Sequence, residues 1–291
     1  TGPSPRAAAH LRLARERGMK TMVKAQVGTT WEMSLVPYIP VPELVARKFS
    51  AIRSAGGGGV MASWTLGTYP SPNWSAAQAF YRGDAPGVEE AVARVAADLY
   101  GKEGKAEALQ AWKIFAEVFS DYPFTNGLVY SSVVQWGPAH PWWPRPTGKR
   151  PRILHSYDSL SWTSPFGPEI VARVFERMAA RWQVGIEHLT AACKLAPAAA
   201  RTDVASDLRV SRAVGLYFES IANFVRFHSA RGKGGEGAKE LLRKEIRLAT
   251  GFLDVVRADA RFGYEPSIQY FYLPLDIREK IAACRYYLGK A

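Results

Sequence analysis

Glu32 stands in a stretch almost empty of acids: between Lys20 and Arg82 the only other carboxylate is Glu43. It lies beside Trp31 and follows the alternating segment Lys20–Val27 by a few residues, so it is expected on the loop leaving a strand. A carboxylate next to an aromatic face in such a loop suits acid–base or nucleophilic work on a glycosidic bond. The competing role is a loop or helix-start carboxylate paired with an arginine. Trp64, Tyr69 and Trp74 sit in or beyond a second apolar segment, where their faces are placed to stack on sugar rings. Trp64 is as well suited to core packing as to ligand contact. Lys24 and Gln26 share one face of the first strand by its period of two, and either can hydrogen-bond a hydroxyl or a carboxylate or be satisfied internally. Trp143 belongs to a Pro- and Trp-rich interruption, residues 135–168, with His140, Trp142 and Trp162. That stretch reads equally as a lid or subsite wall and as a wedge between domains.

Other chemistries find little support. No serine sits in a Gly-x-Ser-x-Gly turn, and the five histidines are scattered without metal-ligand spacing, so neither a serine hydrolase nor a metal site is expected, and no cofactor. The glycine-rich stretch 232–237 lacks both a preceding strand and the Lys-Ser/Thr ending of a phosphate loop. Cys193 and Cys284 form no disulfide framework and read as buried thiols on helices.

Two kinds of organisation must position these residues. Residues 1–84 alternate: an amphipathic helix over 4–17 closed by Gly18, the strand at 20–27, a helix from Pro40 with Leu44, Val45, Phe49 and Ile52 on its apolar face, and a strand over 60–66 followed by a turn-rich loop. Alternating elements with buried-type strands imply a parallel sheet, and two strands are too few to make one. The expected fold is therefore α/β plus all-α: the last βα units of a (β/α)8 barrel, followed over 85–291 by an α-helical bundle. An upstream segment or companion chain is expected to complete the barrel. In the second part, Val88–Leu99 and Leu109–Phe119 mark two helices separated at Gly101–Gly104. Four more follow around Ile170–Leu189, Leu208–Phe227, Leu241–Val256 and Ile277–Leu288.

The 291 residues carry 38 basic against 26 acidic side chains, a net charge of +12 that favours anionic partners and solubility alike. No nucleic-acid-binding signature accompanies the charge, and no apolar run reaches the roughly 20 residues of a membrane span.

Several phrases together resemble bacterial glycoside-hydrolase-like barrel proteins with an appended helical domain. They are Lys24-Ala25-Gln26 with Thr30-Trp31-Glu32, Ser63-Trp64-Thr65-Leu66-Gly67 with Tyr69-Pro70-Ser71-Pro72-Asn73, and later Gly263-Tyr264-Glu265. The resemblance implies that the strands are the seventh and eighth of a barrel, with Glu32 the catalytic carboxylate and Trp31, Trp64 and Tyr69 lining a sugar site. It also implies that the second carboxyl lies on a strand this chain does not contain. The function expected is thus a glycoside hydrolase or its C-terminal portion acting on a carbohydrate; the alternative is a non-catalytic carbohydrate-binding or interaction protein.

Overall fold

Helix-forming stretches dominate the chain, and several begin at a serine, threonine or proline start signal. In the computed structural model, residues 2–29, 32–33, 36–63, 69–81, 86–143, 159–231, 235–265 and 269–290 are described. Ser4 caps α1 (Pro5–Glu16), its hydroxyl accepting from the Ala7 N–H, and Pro5 occupies the first turn. After Gly18 the chain enters β1 (Val23–Ala25), and α2 (Pro42–Ser54) buries Val45, Ala46, Phe49 and Ile52 at helical spacing before β2 (Val60–Ala62). The strands β1 and β2 are parallel, with Val23 opposite Val60 and Ala25 opposite Ala62.

From there the chain is helical. Ser71 caps α3 (Pro72–Gln78), a helix that the turn-rich reading of this stretch does not anticipate, although Ser-Pro at its start is a recognisable cap and first turn. A long element, α4 (Val88–Ser120), bends at Gly101, whose φ of 71° is open to glycine at little cost. The two helices expected there are thus joined across a kink. Then follow α5 (Asn126–Ser131), α6 (Pro168–Leu195), α7 (Arg201–Ala230), α8 (Glu236–Ala258) and α9 (Pro274–Leu288). A two-stranded antiparallel ribbon, β3 (Tyr264–Glu265) and β4 (Gln269–Tyr270), joins α8 to α9. Single 3₁₀ turns at Gly137–Ala139 and Ser161–Thr163 lie in the Pro/Trp-rich interruption.

This architecture corrects the barrel. The chain is mainly α, and its parallel sheet among the described residues is two strands of three residues each. The alternation of helix and strand does produce a parallel βαβ unit, but the chain then turns to helices, so nothing closes. The resemblance to the end of a glycoside-hydrolase barrel falls with it.

The chain forms two units. The first comprises residues 1–30, 38–120 and 184–211, the second 31–37, 121–183 and 212–291. In the first, α2 packs on α3 and α4, and Phe49, Tyr100, Trp112 and Phe115 fill the core. Gly185 lies so close to Phe115 that a β-carbon there would come within 2.3 Å of its ring. In the second, α8 packs along α9, and Trp162, Trp182, Phe218, Phe224, Phe252 and Tyr272 are fully buried. The Tyr217 and Tyr272 hydroxyls meet at 2.8 Å. Burial pushes the Cys284 thiol up to about 12, in keeping with an inert core position, while Cys193 is half-buried.

Candidate functional site

The first unit holds an open cleft of about 640 Å³ lined along β1. One wall is the whole run Thr21–Gln26. Ala7, His10, Leu11 and Ala14 of α1 form the facing wall, and Lys48 and Ile52 of α2 close it. Strand period places Lys24 and Gln26 two residues apart along it, so the structure brings together two of the residues singled out in the sequence.

Side-chain hydrogen bonds fix β1 at both ends. At its start, the Thr21 hydroxyl donates to Gly56 O at 3.3 Å and accepts from the Gly58 N–H at 3.0 Å. Beyond its end, the fully buried Asn73 side chain donates to Val27 O at 2.8 Å and to Ile39 O at 2.7 Å, while its carbonyl accepts from the Val41 N–H at 3.0 Å. One α3 amide thereby holds the exit of β1 against the segment that leads into α2. Ser63, at the end of β2, takes a φ of 64°, and its hydroxyl accepts from the Gly28 N–H at 3.4 Å.

The charged side chains of the lining, Lys24 and Lys48, are both cations. Lys24 and His10 are exposed on the rim, and Lys48 Nζ donates to Gln26 O at 3.0 Å from inside. None of the fourteen lining residues is acidic. Gln26 Oε1 is buried with no hydrogen-bond partner among the described residues. A desolvated acceptor left unpaired costs about 1–3 kcal/mol, so this oxygen is suited to receive a donor. The cleft thus offers cations, an acceptor and an apolar floor.

The remaining predicted residues that are described do not line this cleft. Glu32 belongs to the second unit, half-buried in a turn, where its backbone carbonyl accepts from the Tyr122 hydroxyl at 2.8 Å. Burial, and next the Glu32 charge, push that hydroxyl well above its ordinary range. Trp143 is also in the second unit, half-buried with its ring edge-on to His140 at 6.3 Å. Tyr69 and Trp74 are half-buried in the first unit, Trp74 on α3. Trp31 and Trp64 lie outside the described residues. Among the described residues no group of three or more His, Cys, Asp or Glu could hold a metal ion, and no helix is long and apolar enough to cross a membrane.

Sequence reasoning passed over two buried polar clusters. In the first unit Asp207 accepts from the Tyr38 hydroxyl at 2.9 Å and the Tyr100 hydroxyl at 2.6 Å. In the second, Glu245 pairs with Lys280 and accepts from Ser220 at 2.6 Å and Asn223 at 2.9 Å, with Lys280 Nζ 5.2 Å from the centre of the Trp142 ring. The signal was available: on α7, α8 and α9 these charges fall at the helical spacing of the buried apolar residues. Compared with known proteins, the chain matches no family model, and neither a curated protein nor a solved structure shows significant similarity to it.

Proposed function

We propose that the chain is a non-catalytic interaction protein that holds an anionic partner in the β1 cleft. The observation that supports this reading is the lining: Lys24 and Lys48 without a carboxylate, in a chain of net charge +12. Charges of one sign around a low-dielectric groove concentrate its field and raise the encounter rate with the opposite sign. Hydrolysis of a glycosidic bond, by contrast, requires two carboxyl groups across the scissile bond, and the cleft lining contributes none.

The test compares charge reversal inside and outside the cleft. Polyglutamate is the probe, titrated against the wild type, K24E/K48E, and K102E/K113E, which reverses the same charge on α4 of the same unit. The cleft pair is expected to lose about tenfold in affinity and the α4 pair no more than about twofold, the difference between a local site and general attraction. Equal losses would show that the net charge alone attracts the probe and would end this reading.

A further inference from the structure

Beyond the cleft, we infer that α1 and the turn that ends it form a docking surface for an anionic lipid membrane. The stretch from Arg6 to Lys20 carries Arg6, Arg12, Arg15, Arg17 and Lys20 against one acid, Glu16, and all six are exposed. Clusters of about four to eight basic side chains on a helix are drawn to the negative surface of a bilayer. Arg6, His10, Leu13 and Arg17 follow one another at intervals of four, three and four residues, so they run as one stripe along α1. Leu11, the buried residue of the helix, lies off that stripe. The helix therefore packs by another side and presents the stripe outward.

Exposed apolar side chains are interleaved with these cations. Leu13 lies between Arg6 and Arg17 with 45% of its surface exposed, and Met19, just past the helix, is 61% exposed. Met19 is not on a loose tail. Its N–H donates to Ala14 O at 2.9 Å and the Gly18 N–H to Arg15 O at 3.0 Å, with Gly18 at a φ of 65°. These are the paired bonds of a Schellman motif, and they hold Met19 at the last turn of α1 beside Arg17. Leaving both apolar side chains in water is unfavourable, and the boundary between headgroups and acyl chains receives them while the headgroup charges meet the arginines. Nucleic acids present the charge but no aliphatic layer for Leu13 and Met19. Among the described residues no helix can cross a membrane, so the contact is one made on its surface.

The experiment measures co-sedimentation of the intact chain with vesicles of phosphatidylcholine alone and of phosphatidylcholine mixed with phosphatidylserine. Binding is expected to the anionic vesicles and not to the neutral ones. R6Q/R17Q, which strips the stripe of its arginines, should lose about tenfold in vesicle affinity, whereas K102Q/K113Q on α4 should lose no more than about twofold. L13S/M19S leaves the charge unchanged and should lose about threefold or more toward vesicles while keeping wild-type affinity for polyglutamate. The four positions are exposed and none lines the cleft, so this inference and the cleft reading fail separately. No binding to the anionic vesicles, or equal losses from the two charge pairs, overturns the inference. So does an L13S/M19S protein that binds vesicles as the wild type does, or that loses affinity for vesicles and polyglutamate alike. If duplex DNA is bound more tightly than the vesicles and R6Q/R17Q removes that binding, the surface is a nucleic-acid interface and the inference also falls.

Discussion

Each unit buries a carboxylate in its helical core, and the two are satisfied in opposite ways. Asp207 in the first unit is met by the hydroxyls of Tyr38 and Tyr100, neutral donors from distant parts of the chain. Glu245 in the second is met by the Lys280 ammonium, with Ser220 and Asn223 completing its shell. Burial acts on Asp207 more strongly than its hydroxyl donors do, so its carboxyl titrates above the usual aspartate range. An ammonium can offset the desolvation of a carboxylate, but only while both partners are present. The same core problem therefore yields one cluster tolerant of losing its charge and one that is not.

The largest break in this comparison is expected from Lys280→Met. It leaves Glu245 buried without its cation and should destabilise the protein by about 3–5 kcal/mol in urea unfolding, whereas replacing Glu245 and Lys280 together by apolar residues should recover most of the loss. If the single and double changes were equally damaging, the pair would not be the element at stake.

Asp207→Asn should cost less, about 1–3 kcal/mol, because the amide keeps one acceptor for the two tyrosine hydroxyls. Its pH dependence sharpens the contrast. A carboxyl whose folded value lies above its ordinary 3.8 contributes stability that is full below 3.8 and is lost as pH rises through the folded value. The advantage of the wild type over Asp207→Asn should therefore shrink as pH climbs from about 4, which unfolding curves across an acidic series would reveal.

At the surface the smallest effect is expected. Arg226 spans Glu169 and Glu176 on α6, and these contacts hold the Glu176 carboxyl below its ordinary range. The ions are exposed, so Arg226→Met should change stability by less than about 1 kcal/mol and by still less at high salt, again read from urea unfolding.

The helices were the legible part of this molecule. Pro42 with Val45, Phe49 and Ile52 announces α2, and the stripe Leu242, Ala249, Phe252, Val256 announces α8, because each is a local pattern of period 3.6. The parallel pairing of β1 and β2 was legible too, as a consequence of the helix between them. The number of strands was not. Short apolar strands state that they are buried but not by what, so extending two of them to a barrel went past what the residues specify. Of the cleft, Lys24 and Gln26 were legible by strand period, whereas its wall of α1 and its lack of carboxylates depend on tertiary packing. The Asp207 cluster shows the same limit, since nothing local links Tyr38 to a residue 169 positions away.

That separation bears on how the protein comes into being on the ribosome. The first unit draws on residues 1–30, 38–120 and 184–211, so its contacts cannot all form until the polypeptide has been made as far as its last segment. At about 5–20 residues per second, Tyr38 emerges roughly 8–34 s before Asp207, its buried partner 169 residues downstream. During that interval the nascent βαβ unit has its tyrosine hydroxyl without its acceptor. Assembly of this unit is in that respect completed late rather than progressively from the amino terminus.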